Sequence, residues 1–108
     1  MDKKSRDKKF YLRYLPLFEQ DLAEVRDYIA LTLQNPDAAL RLIEDTEKAI
    51  LRRLDNPLGF ESYRSARDRE QPYYRINIRN FSVFYVVIEN VMEIRRFVYA
   101  RRNLPEIV

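Results

Sequence analysis

The sequence predicts an α+β two-layer sandwich, with a helix hairpin packed on one face of a largely antiparallel four-stranded sheet in the order β-α-α-β-β-β. Three observations carry that expectation. Two stretches between residues 16 and 54 place apolar residues at spacings of three and four and are separated by Asn35-Pro36. Three strand-like runs follow one another through residues 73–100 with only short turns between them, which requires antiparallel pairing. A short aromatic run at residues 10–15 supplies one more strand ahead of the helices.

Taken in order, residues 1–9 hold five Lys/Arg and two Asp and read as a mobile basic tail, which leaves residues 10–108 as a single domain. Phe10-Tyr11-Leu12-Arg13-Tyr14-Leu15 is the first strand. Pro16 opens a helix, because its missing N–H costs nothing in the first turn. Phe18, Leu22, Val25, Ile29 and Thr32 form the stripe expected to face the core, with Glu19, Gln20, Glu24 and Asp27 outside. Asn35 is the expected N-cap of a second helix and Pro36 its first residue. Its inner face carries Ala39, Leu42, Ile43, Thr46, Ala49, Ile50 and Leu54, and Asp55-Asn56-Pro57-Leu58-Gly59 ends it with the only glycine of the chain.

Residues 60–72 are polar and arginine-rich and read as a loop. In the strand at residues 73–79, Tyr74, Ile76 and Ile78 alternate with Arg75, Asn77 and Arg79, so the three polar groups are expected to share one sheet face. Residues 81–88 are almost continuously apolar, as for a strand buried on both sides. In the last strand, residues 91–100, Met92, Ile94, Val98 and Ala100 alternate with Glu93, Arg95, Phe97 and Tyr99. Arg96 falls on the apolar side, which predicts a bulge or a sheet-edge position there.

Composition excludes several chemistries. A chain of 108 residues without cysteine or histidine has no disulfide, thiolate nucleophile, imidazole base or cysteine- or histidine-ligated zinc. No metal or other cofactor is expected. No apolar run approaches the roughly 20 residues of a membrane helix, and no signal peptide is evident, so a soluble, cytoplasmic protein is expected. The net charge of +3 is unevenly spread: +3 over residues 1–9, −3 over 10–60 and +3 over 61–108, where all nine basic residues are arginine. Arginine is favoured for two-pronged contacts to phosphate or carboxylate, so nucleic acid or a nucleic-acid machine is the first class of target.

The element order, the run Tyr-Arg-Ile-Asn-Ile-Arg followed by Val-Phe-Tyr-Val-Val-Ile, and the ending Val98-Tyr99-Ala100-Arg101-Arg102-Asn103 resemble the RelE/ParE toxin superfamily from Phe10 onward. The resemblance implies the toxin, or plasmid stabilisation protein, of a type II toxin–antitoxin module, inhibiting growth when released from a cognate antitoxin. That antitoxin is expected to lie along the helix hairpin and the sheet edge.

Two activities divide the superfamily: RelE-like members cut mRNA on the ribosome without a metal, and ParE-like members poison DNA gyrase. By the RelE-like pattern, Arg75, Arg79, Arg101 and Tyr99 are the candidate catalytic residues, and Arg102, Asn77 and Ser82 are candidate contacts to nucleic acid or target. The chain departs from that pattern at Asn77, which replaces a basic residue, and at Ser82, which stands where an arginine is usual. The departures favour the gyrase-directed reading, with the ribosome-dependent endoribonuclease as alternative and an inactive member acting only as a binding partner as a third reading.

Overall fold

The computed structural model describes residues 9–62 and 71–100. In chain order they form β1 (Tyr11–Tyr14), α1 (Pro16–Asp27), α2 (Pro36–Arg53), β2 (Tyr74–Ile78), β3 (Phe81–Ile88) and β4 (Val91–Tyr99). The four strands make one sheet in the order β1-β4-β3-β2. The pairs β2–β3 and β3–β4 are antiparallel, while β1 lies parallel to β4. The expected two-layer α+β architecture is the one observed.

Local chemistry sets the helix ends. Pro16 and Pro36 each occupy the first turn of their helices, and Asn35 Oδ1 accepts the Ala38 N–H at 3.2 Å as the N-cap of α2. Past Asp27 the first helix widens into a π-helical turn, Tyr28–Thr32, with the Leu33 N–H donating to the Tyr28 carbonyl at 3.0 Å. The wider turn carries Thr32 to the surface, so this residue does not complete the core stripe as expected. Gln34 at φ 54° then reverses the chain in the left-handed region.

The main core lies between the helices and the sheet. Phe18, Leu42 and Ile50 from the helices meet Ile76, Ile78, Val83, Tyr85, Met92, Ile94 and Phe97 from the strands. A smaller cluster of Tyr73, Phe84, Val86 and Val98 occupies the sheet face away from the helices. As expected, β3 is buried on both sides from Ser82 to Val86.

The register of β3 against β4 shifts by one residue: Phe84 opposes Arg96, whereas Tyr85 opposes Ile94. The extra residue, Arg95, makes a bulge one position before Arg96, and it reverses the alternation for the rest of β4. Phe97 therefore joins Met92 and Ile94 in the helix-side core, and Val98 joins the opposite cluster. This corrects the simple alternation, which places Phe97 and Tyr99 with Glu93 and Val98 with Met92.

The same region is a sheet edge. The register of β1 reaches only Tyr14 opposite Ile94, and the chain leaves the sheet as the Leu15 N–H donates to the Ile94 carbonyl at 3.0 Å. Beyond that point Asp21 of α1 takes the place of a strand. Its Oδ2 accepts the Phe97 backbone N–H at 3.0 Å and Arg96 Nε at 2.7 Å, and its Oδ1 accepts Arg96 Nη2 at 3.2 Å.

Candidate functional site

The face of the sheet away from the helices carries a compact polar set on β2 and β3. Asn77 and Ser82 are directly paired across the two strands, and Arg75 lies two residues before Asn77 on the same side. Arg75 Nε donates to Asn77 Oδ1 at 3.0 Å and to Ser82 Oγ at 3.1 Å, while the Ser82 hydroxyl lies 3.1 Å from Asn77 Oδ1 as donor. The guanidinium carbon is 5.8 Å from the Phe84 ring centre. Ser82 is fully buried and Asn77 is exposed, so the set runs from the sheet interior to its surface. Asn77 and Ser82 thus help to fix the direction of the Arg75 guanidinium on this face.

A second charged group sits further across that face. Glu93, almost fully buried, accepts from Arg95 Nη2 at 3.0 Å and from Arg13 Nη1 at 3.3 Å. Burial disfavours the Arg95 charge, but the hydrogen bonds it donates to Tyr73 and Glu93, with their charges, outweigh it and hold its pKa above the ordinary value. Arg95 also lies 5.9 Å from the Tyr73 ring centre. These contacts make Arg95 a structural residue.

Arg79 and Tyr99 are not gathered with Arg75. Arg79 does not share its face. It is the first residue of the two-residue turn between β2 and β3, with φ 55°, and it turns toward the helix layer to pair with Asp45 of α2. The positive φ breaks the alternation that would otherwise have kept Arg79 beside Asn77. Tyr99 also lies on the helix side, edge-on to Phe81 with ring centres 5.6 Å apart, and it lines a groove of about 510 Å³ with Glu24, Val25 and Tyr28. Arg101 and Arg102 lie outside the described residues, as do Arg64, Arg67 and Arg69 of the expected loop. Among the described residues, then, Arg75, Asn77 and Ser82 form one group, and Arg79 and Tyr99 stand on the other side of the sheet.

Two anchoring residues escape the sequence pattern. Asp21 sits three residues after Phe18, on the flank of the stripe where an apolar residue is the rule, and that misplaced acid is the signal in the sequence. Tyr85 was legible as core, but not its hydroxyl, which donates to the Pro57 carbonyl at 2.7 Å and accepts from Arg53 Nη1 at 2.9 Å. Burial raises the Tyr85 pKa above its ordinary value, while the Arg53 hydrogen bond and charge act in the opposite direction. Among the described residues no group of three or more carboxylates could hold a metal ion, and no helix is long and apolar enough to cross a membrane.

A helix hairpin on a four-stranded sheet with a parallel outer strand defines a small two-layer α+β domain. The solved structure of the chromosomal ParDE TA system from P. aeruginosa shares the fold, with a TM-score of 0.64 and 18% identity over 85% of this chain and 97% of that one. No curated protein matches the sequence. The model of the family described as the ParE toxin of the type II toxin-antitoxin system, parDE, matches residues 12–104, and the chain belongs to that family of toxins.

Proposed function

We propose that this toxin arrests growth by poisoning DNA gyrase and that a cognate antitoxin holds it inactive. The observation that carries the reading is the composition of the open sheet face. There Arg75 is oriented by neutral Asn77 and Ser82, while Arg79 is turned toward Asp45 on the helix side. Cleavage of a phosphodiester needs a group to accept the 2′-hydroxyl proton and another to protonate the leaving oxygen, both within hydrogen-bond reach of the same phosphate. Arg75, Asn77 and Ser82 offer directed positive charge and hydrogen bonds, which suit docking to an acidic or phosphate-bearing surface better than proton transfer. Arg75 is the principal target contact in this reading, with Asn77 and Ser82 setting its direction.

In this reading the antitoxin lies along the helix hairpin and the edge of β4 beyond Ile94. Exposed Tyr28, Leu31 and Leu33 at the hairpin tip adjoin the groove lined by Tyr28 and Tyr99, and an apolar segment would be shielded from water there. The test is a gyrase supercoiling assay with micromolar purified toxin, run beside ribosome-dependent mRNA cleavage. Inhibition of supercoiling that weakens in Arg75→Ala, with mRNA left intact, is expected. Intact supercoiling together with cleaved mRNA would reverse the assignment.

A further inference from the structure

A small pocket between α1 and α2 has a composition opposite to that of the arginine-bearing sheet. It encloses about 100 Å³ and is lined by Tyr14, Phe18 and Leu22 on one side and by Thr46, Glu47 and Ile50 on the other, with Glu19 at its rim. Its walls are apolar and aromatic, with the Tyr14 and Phe18 rings stacked at 5.5 Å. Two features do not fit a merely packed gap. Thr46 is fully buried, and its Oγ1 has no hydrogen-bond partner among the described residues. Both Glu19 and Glu47 reach the pocket, and neither has an ion-pair partner among the described residues. A buried hydroxyl without a partner is costly, and native structures normally supply one.

We propose that this pocket receives a lysine side chain of a partner polypeptide. An ammonium group has three donors, and Thr46 Oγ1 with the Glu19 and Glu47 carboxylates provides three acceptor groups around one cavity. The slender four-carbon stem suits a narrow apolar cleft, and aromatic faces attract a cation. A guanidinium is wide and planar and presents five donors in a fixed fork, a poorer match to this set. Burial, and after it the charges of Glu47 and Glu19, raise the Tyr14 pKa, in keeping with a negative potential at the pocket that an incoming cation would meet. The inference concerns a protein contact on the helix layer and stands whichever cellular process the toxin blocks.

The test uses the full chain and N-acetyl-lysine methylamide as probe, followed through the methyl resonances of Thr46, Leu22 and Ile50. Saturable shifts with millimolar affinity are expected, and the uncharged norleucine analogue should bind at least about tenfold more weakly. Glu19→Gln combined with Glu47→Gln alters only exposed positions, keeps the fold and should cost about tenfold in lysine affinity. Thr46→Val keeps the side-chain shape, should melt no lower than the parent and should weaken the lysine response. Equal responses to lysine and norleucine, shifts that never saturate, or affinity unchanged in the double glutamine variant would each overturn the assignment.

Discussion

Replacing Asp21 by alanine should destabilise this fold far more than the loss of a surface ion pair. The carboxylate makes three contacts, with Arg96 Nε at 2.7 Å, Arg96 Nη2 at 3.2 Å and the Phe97 N–H at 3.0 Å. The two side chains retain only 12% and 22% of their accessibility, so solvent screens the pair weakly. Hydrogen bonds to charged groups contribute about 1.5–3 kcal/mol each, but contacts sharing one group are not additive. Removing the acceptor also strands the Phe97 amide at a sheet edge and leaves a half-buried guanidinium without its carboxylate. A loss of about 2–4 kcal/mol follows, a large part of the ~5–15 kcal/mol that holds a typical domain. The melting temperature should fall by roughly 10–20 °C for a domain of this size.

Asp21→Asn separates the two roles. The amide oxygen can still accept the Phe97 N–H while the charge is gone, so a smaller loss of about 1–2 kcal/mol is expected. Urea denaturation followed by circular dichroism measures both, with the midpoint shifted and the slope unchanged. Because the pair is mostly buried, 1 M salt should leave the difference between parent and Asp21→Ala largely intact. An alanine variant within about 0.5 kcal/mol of the parent, or a loss abolished by salt, would mean that Asp21 is an ordinary exposed acid, and the edge-closing argument would fail.

Tyr85→Phe keeps the buried ring but strands the Pro57 carbonyl and one Arg53 donor, so a cost of about 1–3 kcal/mol by the same denaturation assay is expected. At the β2–β3 turn, Arg79→Gly and Arg79→Ala both lose the half-exposed pair with Asp45, itself worth less than about 1 kcal/mol. Only alanine must hold φ near 55°, so the glycine variant should be the more stable of the two by about 0.5–1 kcal/mol. Burial raises the Tyr14 and Tyr85 pKa values above 10.0, so the folded chain keeps those protons longer than the unfolded chain. That contribution is complete below the unfolded value of 10.0 and is lost as pH rises through the folded values; the urea midpoint should drop over this alkaline range, and less steeply in Tyr14→Phe.

The layers, the element order and the antiparallel strands were legible because each rests on a local pattern. Pro16 and Asn35-Pro36 mark helix starts, the stripe from Phe18 to Ile29 gives a face, and short turns between strands leave one mode of pairing. The site was less legible, for reasons that can be named. A strict period of two places Arg75, Asn77 and Arg79 together, but Arg79 already belongs to the turn, and its positive φ sends it to the other layer. The same rule fails after Arg95, where one inserted residue moves Phe97 and Tyr99 from the open face to the helix side. Arg96 on an apolar phase pointed to this break in advance. Asp21 on the core-facing flank of α1 was the other half of the same signal, and the two residues prove to be partners.

That partnership bears on why the sheet half of the chain uses arginine without lysine. Residues 10–60, which carry β1 and both helices, hold a charge of −3, and residues 61–108, which carry the other strands, hold +3. Among the described residues, ion pairs between the two halves show one use of that charge segregation. Asp21 of α1 grips Arg96 of β4, and Asp45 of α2 grips Arg79 at the β2–β3 turn, so both are helix carboxylates holding sheet guanidiniums. Arg96 engages both oxygens of Asp21, a geometry that a single ammonium on a flexible stem does not reproduce. Arg95 is likewise committed, to Glu93 within its own strand. Three of the four described arginines on β2–β4 and their turns therefore hold the fold together. The fourth, Arg75, is oriented on the open face by Asn77 and Ser82, and a substitution there tests target contact.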